Sequence, residues 1–408
     1  MGYTPEFGDL VGQSHHIDPD MLESALSFLG ELPGCYELPA LVLKLKKRFP
    51  HSSPESLSLA AEIFSARSLA PEKLGAWASQ GYFSLGVLQQ ASRAAVAACR
   101  ARRFAGGRHV LEIGTGSGCD TAALARVSAH VTTIDADAAT TELARRNLEL
   151  LGITNVTFQT GDAQELVPAI VASCDALFAD PARRSRAGQR VKDAEEYSPP
   201  LSWVLGLQVK GVRAIKVSPG LFVEPLPQGC ARQFVGVGAE CLEQTLWFGT
   251  DVVDSSVLLA DIDAAWAPPA LQPEPAEAQA LEGYICEAHA VMNRSQHLQS
   301  FFAGLGIASV APDVAYGIAS RLPAPSPFLS RFLILSAIPF QPKQLKAALG
   351  MLRWSNRTEF KKRAVPLDPE AVRAEMKLPD HSHESPFGVV FLLPWQGKPW
   401  AVIAERIT

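Results

Sequence analysis

Residues 111–120 carry the pattern from which chemistry can first be inferred, and they read Leu-Glu-Ile-Gly-Thr-Gly-Ser-Gly-Cys-Asp. An apolar run leads into Glu112, and a helix-like run follows the glycines. Glycine at Gly114, Gly116 and Gly118 lets the chain turn sharply and lets a ligand lie against bare backbone. A helix start behind such a turn offers free N–H groups and a positive dipole end. The pattern therefore predicts a turn that holds a nucleotide cofactor.

Acidic residues follow the next predicted strands at the places where this kind of site needs them. Asp135 ends the second strand, about 20 residues past the glycines, which is the distance at which a carboxylate meets a ribose diol. Asp162 follows the third strand and Asp180 the fourth. Since ligands of open α/β sheets bind at the carboxyl ends of the strands, these loops are expected to meet in one crevice.

The glycine spacing is G-x-G-x-G, which differs from the G-x-G-x-x-G of dinucleotide-binding proteins. A carboxylate at Glu112, before the turn, suits a cationic ligand that carries an amino acid. The ensemble, over residues 108–260, resembles class I S-adenosylmethionine-dependent methyltransferases. The resemblance implies that residues 112–118 hold the methionine part, Asp135 the ribose hydroxyls, and Asp162 with Ala163 the adenine edge. The predicted cofactor-binding residues are Glu112, Gly114, Thr115, Gly116, Gly118, Asp135, Asp162, Ala163 and Asp180.

Each of these features also has an ordinary structural explanation. A glycine turn can simply join a strand to a helix, Asp135 can cap a helix, and Asp162 can be a turn residue. The glycine turn, Asp135, Asp162 and Asp180 together, in this order along the chain, favour the cofactor site.

The loop after the fourth strand, Asp180-Pro181-Ala182-Arg183, bears on the methyl acceptor. It lacks the second proline and the aromatic residue with which amino-nitrogen methylases of nucleic acids stack a flipped base. Residues 216–220 contain no cysteine nucleophile, which disfavours a covalent mechanism. Direct transfer remains, with Asp180, Pro181 and Arg183 as the predicted catalytic residues. Asp180 would orient the acceptor or take its proton, while Arg183 would either clamp an anionic group or form a structural ion pair.

Two basic segments are candidates for contact with a nucleic-acid backbone. One continues the same loop with Arg184, Arg186 and Arg190. The other is Lys361, Lys362 and Arg363, within residues 341–380, where nine Lys or Arg face five Asp or Glu. A solvated charged loop or helix face is the alternative in both cases.

The elements that must position these residues divide the chain into four parts. Residues 1–104 have helical spacing of apolar residues and include a long Ala-rich helical segment at 85–104. Residues 105–266 alternate short strands with helices, which is typical of a parallel α/β sheet. The expected strands are 109–113, 131–135, 156–160, 176–179 and 213–217. Within that part, residues 245–248 and 256–260 are expected to form an antiparallel pair, because the gap between them is short. Residues 267–280 form a linker rich in Pro, Ala and Glu, and residues 281–408 mix helix and strand.

Composition limits the class of protein. The net charge of −5 and the hydrophobic content of 47% describe an ordinary globular chain without a membrane span or a signal peptide. Seven dispersed cysteines indicate reduced thiols in a cytoplasmic protein and predict neither a disulfide framework nor a zinc site. The paired histidines His381 and His383 lack nearby ligands, so no metal is expected.

Further stretches make the resemblance more specific, namely to bacterial class I methyltransferases with a C-terminal THUMP-like domain. They are residues 81–83, 88–92, 178–184, 197–203, 243–249 and 360–363. Because THUMP domains of related enzymes bind RNA, the resemblance implies an RNA substrate, either tRNA or rRNA. Two other readings stay open: a methyltransferase for small molecules or proteins, and a non-catalytic RNA-binding or assembly protein that has kept the fold.

Overall fold

The computed structural model describes residues 18–183, 191, 193–221, 225–249, 256–271, 273–312, 314–380 and 386–407. Their contacts divide the chain into two compact units. The first unit lies within Met1–Arg232 and Glu243–Val253, and the second lies within Gln233–Leu242 and Asp254–Thr408. Residues 233–242 belong to the second unit, although the chain returns to the first unit at Glu243. The four-part division made from the sequence remains a proposal.

The first unit begins with a helical region whose helix starts are encoded locally. The helices are α1 (Pro19–Gly30), α2 (Leu38–Arg48), α3 (Pro54–Leu74), α4 (Leu85–Gln90) and α5 (Ala94–Ala101). Asp18, Ser53 and Ser84 accept hydrogen bonds from the first-turn N–H groups of α1, α3 and α4. Leucines on α1, α2 and α3 are buried together, since they recur at helical spacing.

A twisted sheet follows in the same unit. Its strands are β1 (His109–Ile113), β2 (His130–Asp135), β3 (Val156–Thr160), β4 (Ala176–Ala179), β5 (Arg213–Val217), β6 (Cys230–Val237) and β7 (Glu240–Phe248). In this unit they lie in the order β3-β2-β1-β4-β5-β7, with β1 to β5 parallel and β7 antiparallel to β5. The helices between them are α6 (Cys119–Ala125), α7 (Ala138–Leu150), α8 (Ala163–Ile170) and α9 (Leu201–Gly206). Apolar clusters cover both faces of the sheet, as a parallel sheet requires.

The second unit contains two groups of strands. The end of β6 pairs in parallel with β8 (Ser256–Leu259), which pairs antiparallel with β9 (Ala264–Trp266). A seven-stranded sheet has the order β11-β12-β10-β13-β16-β15-β14. Its strands are β10 (Tyr284–Ala288), β11 (Ala308–Ser309), β12 (Tyr316–Ala319), β13 (Leu329–Pro339), β14 (Glu359–Lys362), β15 (Val389–Trp395) and β16 (Lys398–Ile407).

Helices in the second unit cover the sheets. They are α10 (Ala290–Arg294), α11 (Leu298–Gly304), α12 (Pro342–Met351) and α13 (Pro369–Met376). Successive residues of β15 face opposite sides: Phe391 packs with Phe332 and Tyr316, whereas Val390 packs with the residues of α12 and α13. The expected α/β class, with a helical N-terminal part and an α+β C-terminal part, is confirmed.

Two expectations about elements were wrong. Residues 256–259 pair in parallel with β6 and not with residues 245–248, because β6, which sequence reasoning missed, provides the partner strand. The Ala-rich segment 85–104 is not one helix: Ala91 and Arg93 have extended backbone between α4 and α5. Lys73 donates to the carbonyl oxygens of Leu88 and Gln89, both at 2.8 Å, and so caps α4 at this break.

Among the described helices, none combines the length and the apolar character that a membrane span requires.

Candidate active site

The glycine turn after β1 has the backbone that only glycine adopts readily. The φ angles of Gly114, Gly116 and Gly118 are +93°, +51° and +77°. A Cβ atom on Gly114 would lie 2.6 Å from the carbonyl oxygen of Asp180, so this glycine permits close approach of the loop after β4. A Cβ on Gly116 would meet no atom within 4 Å, which leaves this side of the turn open. A Cβ on Gly118 would lie 2.8 Å from Leu148 Cδ1, so the turn is close against the protein at Gly114 and Gly118 and open at Gly116.

Glu112 is a fully buried carboxyl at the end of β1. Its Oε2 accepts a hydrogen bond from Thr121 Oγ1 at 2.6 Å, whereas Oε1 has no hydrogen-bond partner among the described residues. Burial raises the pKa of this carboxyl to about 8. A buried acceptor without a donor is costly, and a bound cationic N–H group would satisfy it.

Asp135 connects the end of β2 to the glycine turn. Its Oδ2 accepts from the backbone N–H of Gly116 at 3.0 Å, and Oδ1 accepts from that of Asp137 at 3.1 Å. Burial raises the pKa of Asp135, although these two hydrogen bonds oppose the shift. Thr115 is anchored separately, since its Oγ1 lies 2.7 Å from that of Thr133. Both residues therefore fix the shape of the turn.

Asp162 and Ala163 stand where β3 leads into α8. Asp162 is exposed and caps the helix, accepting from the N–H of Gln164 at 2.8 Å. Ala163 is buried at the first position of α8. The structure thus gives Asp162 a capping role, and its second carboxylate oxygen has no hydrogen bond from the described residues.

The loop after β4 brings Asp180 beside the glycine turn. The Asp180 N–H donates to the carbonyl oxygen of Ile113 at 2.9 Å. Pro181 is buried, and Ala182 exchanges two backbone hydrogen bonds with Ser198, at 2.9 and 3.1 Å. These contacts fix where the loop begins and ends.

Arg183 follows Ala182, and its carbonyl oxygen accepts a hydrogen bond from the N–H of Val191 at 2.9 Å. The residue is half-buried, and its guanidinium has no ion-pair partner among the described residues. The predicted residues Arg184, Arg186 and Arg190 lie outside the described residues.

A buried chain of charges, which sequence reasoning missed, ends at Asp180. We call it the charge chain, and its members are Asp120, Arg100, Glu243, Lys216 and Asp180. The guanidinium of Arg100 contacts the carboxylates of Asp120 and Glu243. Lys216 Nζ lies 3.8 Å from Glu243 Oε2 and donates to Asp180 Oδ2 at 2.8 Å. A lysine within an otherwise apolar buried strand was the signal that could have revealed it.

Asn147 on α7 joins the glycine turn to the helical region, and it too was missed. Its Nδ2 donates to the carbonyl oxygens of Ser117 at 3.0 Å and Tyr82 at 2.9 Å. Its Oδ1 accepts from the Tyr82 N–H at 2.7 Å. The side chain is almost fully buried, so this one amide holds both backbone segments.

The three predicted basic residues of the second unit are Lys361 and Lys362 at the end of β14 and Arg363 directly after it, and they do not all lie on one side. Lys361 Nζ lies 2.5 Å from Glu287 Oε2 and 5.9 Å from the ring centroid of Phe332. Arg363 lies over Tyr316, 6.0 Å from its ring centroid. Lys362 is exposed and, by strand alternation, belongs to the opposite face. Thus the structure brings Lys361 and Arg363 together and separates Lys362 from them.

No group of three or more His, Cys, Asp or Glu side chains that could hold a metal ion occurs among the described residues. The expectation about His381 and His383 falls outside those residues.

Comparisons with known proteins agree with this geometry. Residues 110–186 match the model of a methyltransferase domain, and residues 329–406 match that of a THUMP domain-like family. An uncharacterized S-adenosylmethionine-dependent methyltransferase of Mycobacterium tuberculosis is 28% identical over 313 residues, which cover 74% of this chain and 82% of that protein. A protein-L-isoaspartate O-methyltransferase of Magnetococcus marinus is 52% identical over only 56 residues, 14% of this chain and 25% of that protein.

A crystal structure of a candidate methyltransferase from Porphyromonas gingivalis W83 shares the fold. It superposes with a TM-score of 0.71 and 19% sequence identity, and the match covers 96% of this chain and 99% of that one.

The residues present fit S-adenosylmethionine, by two observations. Glu112 Oε1 is a buried acceptor that lacks a donor among the described residues, and the methionine ammonium group is such a donor. The open side of Gly116 leaves bare backbone against which a ligand can lie.

Proposed function

From the premise that this chain is a class I S-adenosylmethionine-dependent methyltransferase with a C-terminal THUMP-like domain, we propose that it methylates RNA, either tRNA or rRNA, by direct transfer. The observation that carries the proposal is the THUMP-like match at residues 329–406 in the same chain as the methyltransferase domain. The RNA acceptor is an inference from the type of domain attached to the enzyme.

Several residues would hold the cofactor. Glu112 would accept from its ammonium group, Gly116 would lie against it, and Asp135 would bind the ribose hydroxyls. Asp162 with Ala163 would border the adenine. When bound, S-adenosylmethionine supplies a methyl group on a sulfonium sulfur. A lone pair of the acceptor forms the new bond to the methyl carbon, and the electron pair of the broken carbon–sulfur bond goes to sulfur. The acceptor loses a proton.

Asp180 would act on the acceptor. Its Oδ2 is taken by Lys216, and its Oδ1 has no hydrogen bond from the described residues. A carboxylate oxygen in that state can accept a hydrogen bond from an acceptor N–H or O–H, orient it and receive its proton. Because the transfer needs correct placement more than a covalent intermediate, orientation is the main contribution expected of the protein.

Contacts with the RNA backbone would come from basic side chains at two places. Arg183 has no ion-pair partner among the described residues, which leaves it able to bind a phosphate, and Arg184, Arg186 and Arg190 continue its loop. In the second unit Lys361 of β14 and Arg363 directly after the strand lie on the same side, over Phe332 and Tyr316. We place the enzyme in the cytoplasm, where RNA is abundant and where its seven free cysteines would stay reduced.

The test is transfer of labelled methyl groups. The full chain is incubated with methyl-labelled S-adenosylmethionine and with the RNA, protein and small-molecule fractions of a host strain from which its gene has been deleted. We expect label in RNA. Label in the protein or small-molecule fraction alone would overturn the RNA proposal; a base-labile label in protein would point to carboxyl methylation, as the name of the Magnetococcus marinus relative suggests.

A further inference from the structure

Lys216 is a buried cation that the cofactor site itself does not require. It stands on β5, and its side chain is 5% exposed. Burying an ammonium group costs free energy unless the group is paired and hydrogen-bonded. Lys216 Nζ donates to Asp180 Oδ2 at 2.8 Å and to Ser92 Oγ at 3.1 Å, which satisfies two of its three N–H bonds.

The other acid near Lys216 has a partner of its own. Glu243 contacts the Arg100 guanidinium, and its Oε1 also accepts from Thr245 Oγ1 at 3.3 Å. Lys216 lies 3.8 Å from Glu243 Oε2, beyond hydrogen-bond distance. Burial acts to lower the pKa of Lys216, but the charges of Asp180 and Glu243 outweigh it and leave the pKa above its ordinary value. The direct hydrogen bond from Lys216 thus goes to Asp180.

The exposed fraction of each side chain also distinguishes the Asp180 end of the charge chain. The side chains of Arg100, Glu243 and Lys216 are 3–5% exposed, whereas the terminal carboxylates Asp120 and Asp180 are 12% and 24% exposed. The alternating series of charges therefore ends in two carboxylates, of which Asp180 is the more exposed. β4 and β5 are adjacent and parallel, with Ala179 paired to Ile215, so the register places Asp180 and Lys216 side by side at the carboxyl ends of their strands.

We propose that Lys216 is a positioning residue for methyl transfer: it holds Oδ2 of Asp180 and thereby presents Oδ1 to the hydrogen of an acceptor N–H or O–H group. This inference rests on the proposed role of Asp180 but not on RNA as the acceptor. The acceptor lone pair forms the bond to the methyl carbon, and the proton that the acceptor then releases is the one hydrogen-bonded to Oδ1. The acceptor is accordingly an atom that carries hydrogen.

The test compares Lys216→Met with the wild-type chain in whichever cell fraction accepts label. We expect kcat to fall about tenfold or more, because misplaced reacting groups lose rate at this scale, while the KM for S-adenosylmethionine stays within about threefold. Lys216→Arg should recover part of kcat. The control is Lys210→Met, which removes the same charge from an exposed lysine of the same unit; its kcat should stay at the wild-type value.

A double-mutant cycle separates positioning from general stability. If Lys216 acts through Asp180, then Lys216→Met should cost little further rate in an Asp180→Asn background. If the kcat losses of the two single variants multiply in the double variant, Lys216 does not act through Asp180 and the inference is overturned. A kcat for Lys216→Met within about twofold of wild type would also overturn it. If Lys216→Met does not fold, Lys216→Met combined with Glu243→Gln replaces it, because removing one cation and one anion leaves the net charge of the charge chain unchanged. Failure of the RNA proposal is seen separately, as label outside the RNA fraction.

Discussion

At the scale of single residues, Glu112 combines two properties that a purely structural carboxyl lacks. It is fully buried, and one of its oxygens has no donor among the described residues. Burial raises its pKa to about 8, so the carboxyl carries a proton at pH 6 to 7 when no cofactor is bound. Pairing with an ammonium group favours the ionised carboxylate, so cofactor binding and proton release are coupled.

Affinity for S-adenosylmethionine should therefore rise with pH between 6 and 8, by up to about tenfold per pH unit. Below the pKa of Glu112 a proton must leave before the ion pair can form, and near pH 8 this requirement disappears. Calorimetry in two buffers of different ionisation enthalpy measures both the affinity and the released proton. Glu112→Gln should bind more weakly and lose the pH dependence; a wild-type Kd that stays constant from pH 6 to 8 would contradict this explanation.

Gly116 offers a test of the open side of the turn. At φ +51° an alanine costs about 1–2 kcal/mol, yet its Cβ would meet no protein atom within 4 Å. Gly116→Ala should thus remain folded but bind cofactor at least about tenfold more weakly, because the methyl occupies the ligand side. Gly107→Ala is the control, with φ +69° and equally open surroundings outside the turn. Equal cofactor affinity in the two variants would show that Gly116 does not face the ligand.

At the scale of elements, Asp135 after β2 and Asp180 after β4 both contact the glycine turn, and helix α7 adds a connection that the sequence did not predict. Asn147 holds Ser117 of the glycine turn and Tyr82 of the helical region through one buried amide. The helical region is therefore fixed to the glycine turn by directional hydrogen bonds as well as by apolar packing. This gives the N-terminal helices a role in shaping the site.

Replacing Asn147 should affect both stability and cofactor binding. Asn147→Ala leaves three backbone groups without their side-chain partner, which predicts a loss of about 2–4 kcal/mol in the free energy of unfolding. Urea denaturation measures this loss, and calorimetry at a temperature where the variant is folded measures cofactor affinity. A stability within about 0.5 kcal/mol of wild type would show that the amide is not needed to hold the segments.

How far the sequence predicts this structure depends on whether the signal is local. The predicted ranges for β1, β3, β4 and β5 are the observed ones, because short apolar runs bounded by Gly and Asp mark strands locally. The charge chain was not predicted, since Arg100 and Glu243 are 143 residues apart and become partners only after the sheet forms. The break between α4 and α5 depends on the distant Lys73, so an Ala-rich segment appeared continuous.

At the scale of the whole molecule, two compact units divide the proposed work. The first contains Asp180 and the residues proposed to bind the cofactor, and the second contains the residues of the THUMP-like match. Direct transfer to RNA needs both kinds of surface, one for the methyl donor and one for the phosphate backbone. Contributions to cofactor binding and to RNA binding should therefore be separable by mutation.

The basic face of β14 tests that separation. Lys361→Gln with Arg363→Gln should weaken RNA binding uniformly across sequences and reduce its salt dependence, because phosphate contacts release counterions. Cofactor affinity should be unchanged. Lys362→Gln, which removes one positive charge from the opposite face of the strand where the double variant removes two, is the control, and the losses are compared per charge removed. Filter binding of total RNA at several salt concentrations measures the effect; equal losses in the two variants would contradict a face-specific contact.

The most direct test of the whole account is methyl transfer by the wild-type chain and by Asp180→Ala, each incubated with labelled S-adenosylmethionine and RNA from the gene-deleted host. The proposed function predicts label in tRNA or rRNA with the wild type and little or none with Asp180→Ala, while calorimetry should show that the variant still binds the cofactor. Label that appears only in protein or metabolites, or full activity of Asp180→Ala on RNA, would contradict it.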